Sequence, residues 1–314
     1  MAQYAIGVDI GGTKIAAGAV SEDGAVLFAV QKPTPLAEGA EAVVRLAAEV
    51  ARQVAARAAG EGCSLVGVGL AVSGQVDVFQ QRVVGATERF SGWESAPLKD
   101  AVEQAVGLPA IMDNDAKAVG RAELRWGSAK GCRHAVFVTL GTGVGGAVAV
   151  DGSIVDGARG FAGHLGHVVV QPGGPRCLCG GAGCLELFAS AAGIVRVARE
   201  LAGTGVEIRD AAEVFEAAKS GALWAEAALR HAADALGTAL AGLVHTLNPE
   251  AVVIGGGLSA WGEPWRRRIE QATACRVMPA FSGTFEVRLA TYGPQSGVAG
   301  AGALVFDARR GWPL

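Results

Sequence analysis

Apolar residues follow two rhythms along this chain. Short, mostly continuous apolar runs at residues 4–9, 15–20, 65–71, 134–139, 144–150, 251–254 and 285–290, bounded by Gly, Pro, Asp or Thr, predict buried strands. Asp23-Gly24 is a hairpin dipeptide leading into a further strand, and Pro109 opens a short strand that runs into a helix. Longer stretches with apolar residues three and four apart predict helices. In residues 38–59, Val43, Leu46, Val50 and Val54 share one face and Gly60 closes the helix. Further helices are expected at 97–106, from about 113 to 126, and at 185–201, 210–221, 222–247 and 297–309.

The pattern strand, Gly/Thr turn, strand at residues 4–20 recurs at 134–150. This echo predicts an α/β chain of two similar domains, and 314 residues suit two cores and a cleft better than one core. The smaller lobe is expected to hold residues 1–116 plus 297–314, because the last helix has little room in the second domain and crosses back. The larger lobe takes 117–296.

Charge and composition narrow the classes. A formal net charge of -3 with no long Lys/Arg run gives no electrostatic reason to bind nucleic acid, and Arg266-Arg267-Arg268 reads as a solvated helix face. The apolar stretch 135–150 is interrupted by six Gly or Thr residues, so it reads as strand, turn and strand rather than a membrane span. No charged segment of a signal peptide precedes the first strand, and a soluble, cytoplasmic protein is expected.

Candidate chemistry lies in the turns. Gly11 and Gly12 let backbone approach a ligand, Thr13 offers a hydroxyl, and Asp9 leaves a carboxylate where hydrated Mg²⁺ could sit; an ordinary hairpin would look similar. Ser73-Gly74 reads as a simple turn. Asp113 is the natural cap of the next helix. Asp115, further in, is more than a cap requires, and a carboxylate kept ionised there by the helix dipole could take a hydroxyl proton as general base. Thr142 and Gly143 form a second phosphate-type turn, and Gly255-Gly256-Gly257 opens a helix against which a nucleotide could lie. Cys177, Cys179 and Cys184 sit in a Gly-rich loop with almost nothing apolar to pack against. With His167 they make a Cys₃His set suited to structural zinc, leaving His164 over, with a backbone hydrogen bond as its plain alternative. Glu186 opens a helix, where the dipole alone favours a carboxylate.

Taken in order, these residues resemble the ROK family (repressors, open reading frames, kinases), sugar kinases of the actin-like ATPase superfamily. The resemblance covers essentially the whole chain and rests on Asp9-Ile10-Gly11-Gly12-Thr13-Lys14, Asn114-Asp115-Ala116, Gly141-Thr142-Gly143-Val144-Gly145-Gly146, Gly166-His167 with the cysteines and Glu186, and Gly255-Gly256-Gly257. It implies two ribonuclease-H-like α/β domains around a cleft and transfer of the ATP γ-phosphoryl group to a hexose hydroxyl. ATP with Mg²⁺ would be bound by Asp9, Gly11, Gly12, Thr13, Lys14, Thr142, Gly143, Gly255 and Gly256. Asp115 matches the general base, Asn114 and Glu186 the sugar-hydroxyl contacts, and Gly74 the first-domain sugar loop; His164 and His167 fall in the sugar site, with zinc holding the loop that carries His167. A homodimer is also implied.

Two positions depart from the common pattern. Many glucose-specific members carry Glu-x-Gly-His where this chain has His164-Leu165-Gly166-His167, and the form in this chain is similar to that of bacterial N-acetylmannosamine kinases; Arg89 stands where Asn is usual. The expected substrate is N-acetylmannosamine, phosphorylated at O6, with glucose as the alternative and a non-catalytic regulator as the remaining reading. The family's repressors place a winged helix-turn-helix ahead of the kinase-like part, whereas here the first strand starts near Tyr4.

Overall fold

The protein is described from a computed structural model covering residues 2–85 and 92–309; Arg89 lies outside the described residues. The chain forms two compact units, one of Met1–Gly131, Ile154–Gly163 and Pro294–Leu314, the other of Cys132–Ser153 and His164–Gly293.

The first unit opens with the antiparallel strands β1 (Gln3–Ile10), β2 (Lys14–Ser21) and β3 (Val26–Pro33), followed by helix α1 (Ala40–Gly60). Then come β4 (Ser64–Val72), the small hairpin β5 (Gln75–Asp77) and β6 (Arg82–Gly85), α2 (Leu98–Val106), β7 (Ala110–Asn114) and α3 (Asp115–Arg125). Strands β4 and β7 add in parallel on the far side of β1, giving the order β3-β2-β1-β4-β7. On α1, Val43, Ala47, Val50, Ala51 and Val54 are buried against Ile6, Val8 and Ile10 of β1, as the helical spacing of these apolar residues requires.

The second unit repeats this plan. It contains β8 (Ala135–Leu140), β9 (Val144–Val150), β10 (Ser153–Ile154, at its border), α4 (Glu186–Ala189), α5 (Ala191–Ala202), α6 (Ala211–Lys219) and α7 (Leu223–Leu247). It ends with β11 (Ala251–Gly255), α8 (Gly262–Ala274) and β12 (Glu286–Leu289). The sheet order is β10-β9-β8-β11-β12, with β8 and β9 antiparallel and β11 and β12 parallel, so antiparallel pairing precedes parallel addition in both sheets. The mixed α/β architecture of two related sheets is the one expected from the repeated strand-turn-strand pattern.

The final helix, α9 (Ser296–Arg309), belongs to the first unit, and its small residues explain how it fits there. A Cβ added at Gly7 of β1 would overlap the Val298 carbonyl, and one at Gly69 of β4 would overlap that of Ala301, so helix and sheet backbones meet without side chains between them. Gly300 likewise sits against the Ala118 carbonyl of α3.

Three expectations change. The border near residue 117 falls inside α3, which packs on α9 and stays in the first unit, and residues 154–163 join that unit too. The single helix expected at 185–201 is two, because Ser190 turns extended (φ -76°, ψ 163°) and caps α5 by accepting the Gly193 N–H at 3.0 Å. The triple glycine leads into a 3-10 turn, Gly257–Trp261, before α8 begins. Among the described residues no helix is long and apolar enough to cross a membrane.

Candidate functional site

In the first unit, the β1-β2 turn is closed by the Gly11 N–H donating to the Lys14 carbonyl at 3.0 Å. Thr34, after β3, braces it from the side: its hydroxyl donates to the Gly11 carbonyl at 2.7 Å and its N–H to the Thr13 carbonyl at 3.1 Å. Thr13 is exposed, Gly12 partly so, and Lys14 donates to Gln31 Oε1 at 3.2 Å. At the end of β1, the Asp9 carboxylate stands where a Cβ on Gly297 would overlap it, so Gly297 lets the start of α9 close over it. Burial pushes the Asp9 carboxyl up to about 7; the negative charge of Asp115 acts in the same direction and Lys14 opposes it.

Asp115 stands at the junction of β7 and α3. The cap expected at Asp113 is Asn114, whose Oδ1 accepts the N–H groups of Ala116 (3.0 Å) and Lys117 (3.2 Å). The Asn114 Nδ2 donates to the Gly74 carbonyl and to Asp115 Oδ1, both at 3.0 Å, so its two amide donors are engaged inside the protein. Asp115 Oδ1 also accepts the Ala116 N–H (2.8 Å), and Oδ2 accepts the Ser73 hydroxyl (2.7 Å). Burial holds the Asp115 carboxyl above the usual range, against the pull of these bonds. Ser73, which reads in the sequence as a turn residue, is thus a direct partner of the candidate base.

Asp113 is occupied elsewhere. Lys117, Arg121 and Arg125, four residues apart along α3, meet three acids. Lys117 bridges Asp113 (2.7 Å) and Asp156 (2.6 Å), Arg121 pairs with Asp113 (3.1 Å) and Asp156 (3.3 Å), and Asp307 of α9 takes Arg121 (3.7 Å) and Arg125 (2.9 Å). Asp113, Lys117, Arg121 and Asp307 are all buried. The i, i+4, i+8 spacing of the three cations was the available signal, but their acidic partners are distant in sequence.

In the second unit, the β8-β9 turn is closed by the Gly141 N–H donating to the Gly143 carbonyl at 3.0 Å, and the Ala191 N–H donates to the Gly141 carbonyl at 2.8 Å. Thr142 is exposed at its tip. Glu186 Oε2 accepts the Val144 N–H at 3.0 Å, and a Cβ on Gly143 would stand 2.5 Å from that oxygen. Gly256, at φ +79°, lies against the Leu140 carbonyl, with Gly255 just before it at the end of β11, so the two glycine turns are adjacent. Beside Gly257 opens a cavity of about 620 Å³ lined by Phe215, Glu216, Lys219 and Trp261, where the Phe215 and Trp261 rings stack at 4.7 Å.

The donor atoms of His167, Cys177, Cys179 and Cys184 lie within 4.8 Å of one another. His167 Nδ1 is 3.8 Å from Cys177 Sγ, and Cys179 Sγ is 3.6 Å from Cys184 Sγ, while all three cysteines are free of disulfides. A tetrahedron with Zn–S bonds of about 2.3 Å has edges of roughly 3.8 Å, so this donor set fits zinc. His164 precedes the short turn Leu165–His167, its ring centroid 6.4 Å from that of His167, and is not part of the set.

The family model for the ROK family matches residues 5–308. A glucokinase of Thermotoga maritima is 38% identical over 314 residues, covering 96% of this chain and 97% of that protein. An N-acetylmannosamine kinase of Escherichia fergusonii is 33% identical over 252 residues, covering 80% and 82%. The crystal structure of a ROK family glucokinase from Streptomyces griseus in complex with glucose and AMPPNP superposes with a TM-score of 0.83 at 34% identity, covering 96% of this chain and 98% of that one. A family match over nearly the full length, on the fold and turns described above, places the chain in the ROK family.

Proposed function

We propose that this chain is a sugar kinase that transfers the γ-phosphoryl group of Mg·ATP to O6 of a hexose. The observation that carries the reading is Asp115: a carboxylate oriented by Ser73, Asn114 and the Ala116 N–H, with its affinity for a proton raised by burial. Phosphoryl transfer asks the protein for positioning and charge neutralisation, and a base so held accepts the hydroxyl proton as the nucleophile forms.

We assign Gly74 and Asp115, and in the second unit His164, His167 and Glu186, to the sugar. Asn114 spends its donors on Gly74 and Asp115, so its part is to set the base. Gly11, Gly12, Thr13, Lys14, Thr142, Gly143, Gly255 and Gly256 are assigned to ATP, and the cavity beside Gly257, with its aromatic wall, suits the adenine ring. Asp9 would hold hydrated Mg²⁺; burial and the charge of Asp115 raise its proton affinity, and the ion would offset both while neutralising phosphate charge. Zinc on His167, Cys177, Cys179 and Cys184 would fix the loop preceding Glu186. The use of ATP suits a cytoplasmic protein.

Glucose is the substrate we favour, on the higher identity and fuller coverage of the glucokinase relative. N-acetylmannosamine is the second reading, carried by His164 in place of an anionic residue. A coupled ADP-release assay with Mg·ATP against glucose, mannose, fructose, N-acetylglucosamine and N-acetylmannosamine tests both. Highest kcat/KM on glucose is expected; preference for N-acetylmannosamine reverses the substrate choice, and turnover of no sugar overturns the kinase.

A further inference from the structure

The ionic cluster under α3 is more than a packing solution. Lys117 and Asp113 keep side-chain exposures of 1%, and Asp156 of 13%, so these charges have little water to fall back on. Apolar residues of similar volume would stabilise such a site at least as well, whereas an ionic cluster admits one arrangement of its members. The arrangement here leads to the base. Asp156 Oδ1 meets Lys117 Nζ at 2.6 Å, and the same nitrogen meets Asp113 Oδ1 at 2.7 Å. That Asp113 oxygen accepts the Asn114 N–H at 2.7 Å, and Asn114 Nδ2 holds Asp115 Oδ1 at 3.0 Å. Residues 154–163 are anchored through Asp156 and continue directly into His164.

We infer that Lys117 and Asp156 are a coupled pair of positioning residues, which join the segment 154–163 to the strand end carrying Asp115 and set the direction of its carboxylate. The inference rests on Asp115 being the base. Neither side chain touches the reacting atoms; Lys117 has three donors and its two carboxylate partners fix the α3 register from the Asp113 side and the segment from the other.

The test compares Asp156→Asn, Lys117→Met and the double variant with the wild-type protein in the hexose kinase assay, with Tm measured for each. Asp156→Asn keeps Lys117 paired with Asp113, and the double variant removes one charge of each sign, so both avoid an orphaned lysine. We expect kcat to fall roughly tenfold to a hundredfold in each single variant, with KM for ATP within about twofold of wild type. The double variant is expected to be no slower than the slower single variant, as for residues acting as one unit. A folded Asp156→Asn protein with wild-type kcat and a lowered Tm overturns the inference and leaves the pair a stabiliser. Multiplicative losses in the double variant overturn the coupling. Should Lys117→Met not fold, kcat of Asp156→Asn decides alone. A wild-type protein that phosphorylates no hexose sinks the functional reading and this inference together; an active wild type with unimpaired variants sinks only the inference.

Discussion

Glu186 and Gly143 are locked together: the carboxylate oxygen that accepts the Val144 N–H occupies the space a side chain at 143 would need. A residue assigned to the sugar and a turn assigned to phosphate therefore share one backbone contact. Gly143→Ala is expected to displace Glu186 and lower kcat/KM for sugar by roughly tenfold or more, since a misplacement of about 1 Å can cost a hundredfold. Gly242→Ala on α7, where a Cβ meets nothing within 4 Å, is the control; it should keep activity and raise stability by about 0.5–1 kcal/mol. Steady-state kinetics and thermal melts of both proteins check this.

Asp9 and Asp115 raise a pH prediction with a definite sign. A base must be ionised, so kcat/KM should fall on the acid side with an apparent pKa above the ordinary carboxylate range, and Asp115→Asn should abolish that limb with a loss of roughly 10²–10⁴ in kcat. Removing the Asp115 charge also removes one cause of the Asp9 shift, so carboxyl NMR of the ligand-free Asp115→Asn protein should find Asp9 below its wild-type value of about 7. For stability, a carboxyl raised on folding favours the fold below its unfolded pKa and loses that favour as pH rises through the folded value. Asp9→Asn should therefore match wild type near pH 4 and exceed it increasingly toward pH 7.

Zinc should copurify at one ion per chain. Chelation is expected to lower Tm and to reduce sugar affinity before ATP affinity, because the ligand loop runs into Glu186. Metal analysis with isothermal titration of each ligand distinguishes this from a chain whose four donors hold nothing.

His164→Glu should shift the ratio of kcat/KM for glucose over N-acetylmannosamine toward glucose by roughly tenfold, the scale at which a pocket contact discriminates. An unchanged ratio would remove His164 as a determinant.

What the sequence made legible was local. The Asp23-Gly24 hairpin, the Gly/Thr turns and the cysteine cluster each depend on residues close together in sequence, and each stands in the structure where its chemistry put it, as does the repeated strand-turn-strand unit. What it hid was tertiary. Asp113 has good cap chemistry, yet Lys117 and Arg121 claim it, and the cap passes to Asn114. Asp156 lies in a loop whose partners on α3 are over thirty residues away, and Ser73 meets Asp115 across 42 positions of sequence. Ser190, a single serine within a convincing helical pattern, breaks one helix into two.

The packing of α9 on β1 and β4 also sets an order of events during synthesis. The ribosome releases residues 164–293, most of the second unit, before Ser296–Arg309 emerges. Until then Gly7 and Gly69 face no α9 backbone, and the β1 and β4 surface that α9 covers stays open. The first unit is thus completed only after the second has been made, and the nascent chain carries an unsealed β surface while residues 164–293 are synthesised, which is the interval in which chaperones would engage it.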